Sequence, residues 1–239
     1  MDSSNKKPAA NRQENALKKS DYLVPLALLM LAALPLLVGA LRLAQLASGT
    51  DLSATNARFM AAPLPIVVHI VASSVFAFLG AFQFSPWLRS QAPKLHRSAG
   101  RLVLLGGCGC AASGLWMTLF YPRVESPPAS FDGPWLFVIR LLVGLAMLLA
   151  LGRGFWAIRQ RDIQDHRAWM MRAYALGLGA GSQVFTHIPW FLFPGIQGEL
   201  ARTVCMGAGW ALNLAVAECL ILRARPLKSR SSGQACQRA

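Results

Sequence analysis

This chain carries four histidines, and their neighbours divide them into two pairs. His96 and His166 are each followed directly by an arginine, Arg97 and Arg167. Each also has a second arginine one to two helical turns further on, Arg101 and Arg172. His69 and His187 lie instead within long apolar stretches, as do Arg140 and Gln183. Imidazole ligates metals and haem iron through a ring nitrogen, while guanidinium pairs with phosphates and carboxylates. The first pair therefore points to an anion- or lipid-binding rim of His96, Arg97, Arg101, His166, Arg167 and Arg172. The second points to a cofactor site, with His69 and His187 as axial ligands of a haem b and Arg140 beside a propionate. Gln183 is one turn from His187 on the same helix face.

Blander readings stand beside both. Polar side chains inside a membrane also link helices by hydrogen bonds, and a basic rim also anchors anionic headgroups at about 1 kcal/mol per basic residue. A second haem at His96 and His166 is a further alternative for the rim. The chain lacks a Walker loop, a Rossmann fingerprint, a zinc-protease motif and a nucleophile elbow. No catalytic residue stands out, and whether the protein is an enzyme stays open. Cys108 and Cys110 would point about 200° apart on a helix, so no metal site is assigned. Glu218, about one turn inside the last apolar stretch, is expected to pair with an arginine; a proton relay is the alternative.

The elements that position these residues follow from composition. Hydrophobic residues make up 54% of the chain and charged ones 14%, against about a quarter charged in water-soluble domains. Several apolar runs are long enough for a hydrocarbon core of about 30 Å. The expected fold is an all-α polytopic membrane protein of about six transmembrane helices. The spans fall near residues 22–43, 63–84, 97–121, 134–158, 166–193 and 199–222. The first is too long for the apolar region of a cleavable signal and reads as a retained span. Residues 1–20 form an expected disordered N-tail, 21–222 the membrane domain and 223–239 a disordered basic C-tail. Asp165 is the expected N-cap of the fifth span.

The net charge of +14 sits in short loops and tails, which is the pattern that orients membrane proteins. A nucleic-acid binder would need a folded basic face, so nucleic acid is not an expected partner. With six spans, 19 of the 24 basic residues fall on the side of both termini, which places the termini in the cytoplasm. The expected partners are the bilayer and its anionic lipids. A redox partner or a homo-oligomer is left open.

Span positions also set depth. His69, His187 and Arg140 come out roughly 8–10 Å below the outer face. His166 and His187 are about 31 Å apart along one helix, which argues against a two-haem wire. Glycines 177, 179 and 181 in the fifth span, and 106, 107, 109 and 114 in the third, suggest close helix packing. The segments Trp87, Arg89, Lys94, His96, Arg97 and Trp156, Arg159, Gln164, His166, Arg167 both join one apolar run to the next. The core thus reads as a duplicated helical hairpin, spans 2–3 repeated by 4–5 about an axis along the membrane normal.

A family likeness rests on His69, Gly80, Gln83, Phe84, Leu88, Arg89, His96, Arg97, Gly100 and Arg101, together with His166, Arg167, Trp169, Met170, Arg172, Tyr174 and Leu176. Over about residues 64–190 the chain resembles the bacterial predicted membrane proteins grouped as domain of unknown function 2306. The resemblance implies a multi-pass protein of the bacterial inner (plasma) membrane with no settled activity. The family pattern carries arginine near the position of His187, where this chain departs from it.

Overall fold

Four prolines punctuate the chain. In the computed structural model, which describes residues 19–49, 56–122 and 131–224, Pro63, Pro86, Pro93 and Pro134 each open a helix. At that position the missing N–H leaves no hydrogen bond unmade, and the ring presets a helical φ. The helices are α1 (Lys19–Ser48), α2 (Ala57–Ala61), α3 (Pro63–Gln83), α4 (Pro86–Gln91), α5 (Pro93–Phe120), α6 (Pro134–Arg159), α7 (Ile163–Gly177), α8 (Gly179–Thr186), α9 (Ile188–Leu192) and α10 (Glu199–Ala224). Among the described residues there is no strand. The expected N-tail up to residue 18 and the C-tail beyond residue 224 lie outside the described residues.

Helices α1, α3, α5, α6 and α10 are long and apolar enough to cross a membrane. Large apolar side chains such as Leu26, Leu105, Leu142, Phe155 and Leu220 stand exposed on them. In water such continuous patches would drive association; in a bilayer they face lipid. The protein is an all-helical polytopic membrane protein. We call the end of the bundle that holds Lys19 the inner end and the opposite one the outer end.

The unbroken helix expected over 166–193 is not present. It is divided into α7, α8 and α9, with Leu178 and His187 at the junctions. Leu178 stands between two glycines, and each glycine weakens a helix by about 1 kcal/mol. Its carbonyl accepts from Gly181 N at 2.9 Å, a spacing of three residues rather than four. Asn213 of α10 bridges the break: its Nδ2 donates to Ala175 O at 3.0 Å, and its Oδ1 accepts from Ser182 Oγ at 2.5 Å. An interrupted backbone is tolerated inside a membrane protein where such partners satisfy it. At the second junction Pro189 removes one amide from the ladder.

The expected N-cap also differs. Asp162, not Asp165, caps α7, and its carboxylate accepts the Asp165 amide at 2.9 Å. Arg161 just before it has φ +61°, so the chain turns sharply and α7 starts three residues earlier than the expected span.

The core joins α3, α5, α6 and α7. Phe76 is buried at 2% exposure. A Cβ on Gly107 would come 2.8 Å from its ring, and one on Gly177 would collide with it from the other side. The Tyr174 ring lies on the bare backbone of Gly80, and its hydroxyl donates to Ala77 O at 2.8 Å. Leu151, Met147 and Ala173 complete the centre. Small residues thus let backbones approach and large rings fill the gaps, the packing mode open to helices that gain nothing from excluding water.

Candidate ligand-binding sites

The inner site is built around α4, which crosses the turn between α3 and α5. Two contacts fix where α4 begins. Ser85 Oγ accepts Leu88 N–H at 3.4 Å, and the buried Asp21 carboxylate of α1 accepts Trp87 N–H at 2.9 Å. Arg89 of α4 is thereby brought within electrostatic reach of His96 and of Arg167. Partial burial, and then the neighbouring Arg167, hold Arg89 below the ordinary arginine pKa.

His96 and His166 are each the fourth residue of their helix, α5 and α7. They lie close enough to influence one another electrostatically, and Arg97 adds to the field at His96. His166 donates from Nδ1 to the Gly154 carbonyl of α6 at 2.7 Å, which fixes the ring and leaves Nε2 for another partner. The side chain of Gln83, the last residue of α3, lies against Gly100, one turn beyond His96 on α5. His96 Nδ1 and Gln83 Nε2 are both buried and have no hydrogen-bond partner. Each such orphan costs about 1–3 kcal/mol.

Two expected members of the rim stand differently. Arg101 is exposed, one turn beyond Arg97. Arg172 turns away from the rim to α10, where it donates to Glu218 from Nε at 2.5 Å and from a terminal nitrogen at 2.8 Å. It also stacks on Trp169 at 4.7 Å. The expected arginine partner of Glu218 is therefore Arg172. Gln83 and Arg89, by contrast, join the site from positions that spacing alone did not mark. Their signal is proximity: both sit in the turn that leads to His96.

The outer half is organised around Asp132. Its carboxylate accepts from Arg140 at 2.7 Å and from Arg202 Nε at 2.8 Å. Burial pushes this carboxyl up, but hydrogen bonds and charge from Arg140 and Arg202 outweigh that and hold it below the usual range. Arg140 also reaches Met206 Sδ at 3.8 Å, and Gln183 Nε2 donates to Met206 O at 3.1 Å. His187 donates from Nδ1 to Gln183 O at 2.8 Å. Arg140, Gln183 and His187 thus form one group against α10.

His69 makes its bonds elsewhere. Its Nδ1 lies 3.0 Å from Cys110 O and 3.1 Å from Ser113 Oγ on α5. No hydrogen bond joins it to His187, Arg140 or Gln183 among the described residues. It lines a cavity of about 480 Å³ between α1, α3 and α8, together with Arg42, Ser73 and Val184. Asp132 and Arg202 went unmarked in the sequence reading. The available signal was an acid two turns before the membrane-embedded Arg140.

Comparison with known proteins gives one match. Residues 66–221 fit the model of a family described as "Predicted membrane protein (DUF2306)". No curated protein and no solved structure matches the chain.

Proposed function

We propose, from the premise that the chain belongs to the DUF2306 family of predicted membrane proteins, that its inner end binds an oxyanion-bearing ligand. The group recognised is a phosphate or carboxylate presented at the membrane surface. The observation that carries this reading is the pair of buried, unpartnered nitrogens, Gln83 Nε2 and His96 Nδ1, set among arginines. A bound oxyanion would accept from both. Arg89, Arg97 and Arg167 supply charge, and His166, held through Nδ1, offers Nε2. Arg101 lies at the periphery, and Arg172 serves the bundle through Glu218. The role is binding or carriage rather than catalysis.

The inner end is the cytoplasmic one in this reading, and the membrane is the bacterial plasma membrane. Most basic residues fall on that side, in keeping with the positive-inside rule. A reporter fused at Gln160, in the turn between α6 and α7, should be cytoplasmic. Reporter activity outside the cell overturns the orientation.

The binding test uses the purified full chain. Native mass spectrometry reads retained phosphatidylglycerol, and thermal unfolding reads the response to inorganic phosphate. Retained lipid with no response to phosphate identifies a headgroup; the reverse identifies a free anion. Arg89→Gln with Arg97→Gln should remove whichever is seen. Unchanged retention and an unchanged phosphate response in that variant sink the proposal.

One observation favours a second reading, a haem-b redox protein. His69, His166 and His187 each direct Nδ1 to a backbone carbonyl, as ligating histidines commonly do to leave Nε2 for the metal. Folded protein with no Soret band and no reduced-minus-oxidised difference spectrum removes it.

A further inference from the structure

Four arginines from four helices gather at the outer end: Arg42 of α1, Arg58 of α2, Arg140 of α6 and Arg202 of α10. Arg58 is within electrostatic reach of Arg42, Arg140 and Asp132. Arg42 and Arg58 both stack on Phe59, at 5.5 and 4.8 Å from the ring centroid. The acids nearby are Asp132, already shared by Arg140 and Arg202, and Glu199, which lies against Gly133. The named charges therefore favour the cations. Arg58 donates to Pro122 O at 3.4 Å, yet its buried Nε has no hydrogen-bond partner. Such a concentration runs against the positive-inside pattern of the rest of the chain.

Arg42 also lines the cavity of about 480 Å³ that descends between α1, α3 and α8. That volume lies within the usual range of small-molecule sites, about 300–1,000 Å³. Its wall is mainly aliphatic, from Leu34, Val38, Ile66 and Val184, with His69 as a polar group partway down. Because its Nδ1 is engaged with α5, His69 can meet an occupant only through Nε2.

We propose that this outer cavity binds an anionic amphiphile, with its phosphate or carboxylate head at Arg42 and Arg58 and its hydrocarbon chain in the groove. Charge complementarity selects the head: two guanidinium groups are held on one aromatic ring, and one of them has an unmet donor. The aliphatic wall selects the chain. His69 Nε2 is placed to accept from a hydroxyl on the chain or, when protonated, to donate to an ester carbonyl. The site is distinct from the inner rim and does not depend on it.

Dodecyl phosphate tests the idea on the full chain purified in a neutral maltoside detergent. It should raise the melting temperature by several degrees, as ligands of the native state do. Inorganic phosphate and dodecyltrimethylammonium should not. Arg42→Gln with Arg58→Gln should abolish the rise, whereas Arg42→Lys with Arg58→Lys should keep most of it. Ala180→Phe, which fills the groove from its exposed wall, should raise the half-saturating concentration at least tenfold. His96→Ala should leave the response intact. The proposal is overturned by no response in the wild type, by an equal response to either control, or by an undiminished response in the glutamine or phenylalanine variants. Loss of the response in His96→Ala also overturns it, because the probe would then sit at the inner rim.

Discussion

Arg172 of α7 and Glu218 of α10 close a two-pronged ion pair, at 2.5 and 2.8 Å, across the interface that brings the last helix onto the bundle. The guanidinium also stacks on Trp169 at 4.7 Å. Polar pairs between membrane helices contribute about 0.6 kcal/mol on average and up to about 1.7. Glu218→Gln is expected to cost about 1 kcal/mol. In a double-mutant cycle with Arg172→Gln, measured by denaturation in mixed micelles, most of that loss should appear as coupling. Strict additivity of the two changes would show that the pair does not hold α10.

The Phe76 ring fits between Gly107 and Gly177 because neither has a side chain. Gly177→Val should overpack the centre and cost about 1–3 kcal/mol. Phe76→Ala in the same chain should recover part of the loss by making room. Thermal unfolding of the two variants and their combination checks this, and no recovery would place the damage elsewhere.

Asp132 links stability to acid. Its carboxyl lies below the usual range in the folded protein, against about 3.9 when unfolded. Its contribution is fully present above the unfolded value and is lost as pH falls through the folded one. Asp132→Asn should lower stability at neutral pH by about 1–3 kcal/mol, because two arginines lose their acceptor. It should also flatten the acid limb of a stability profile between pH 2 and 5. An acid limb as steep as that of the wild type would show that other carboxyls control it.

The break after Gly177 depends on Asn213, which donates to Ala175 O and accepts from Ser182. Asn213→Leu should leave both groups unsatisfied and cost about 1–3 kcal/mol. Hydrogen exchange at residues 179–182 should rise. Unchanged protection there would mean that the junction holds without α10.

Much of the helical architecture was legible in the residues. Apolar runs of membrane length, each opened by a proline, place α3, α5 and α6 within a few residues of where they stand. The break in α7–α8–α9 was not read, although Gly177, Gly179 and Pro189 were in view. Glycine and proline only weaken a helix. Whether it parts depends on a partner for the exposed carbonyl, here Asn213, 38 residues from Ala175.

The same division runs through the candidate sites. Residue type and distance from an apolar boundary, properties of one segment at a time, set the membrane class, the helical elements and the pairing of each histidine with an arginine. Facing and partnership came only with tertiary packing. That packing turned His69 toward α5, took Arg172 from the rim to Glu218, brought Gln83 and Arg89 to His96, and gathered four arginines around Asp132. The physical reason is that depth follows from a rise of about 1.5 Å per residue along one helix. The direction of a side chain, by contrast, depends on how that helix is rotated and broken by its neighbours.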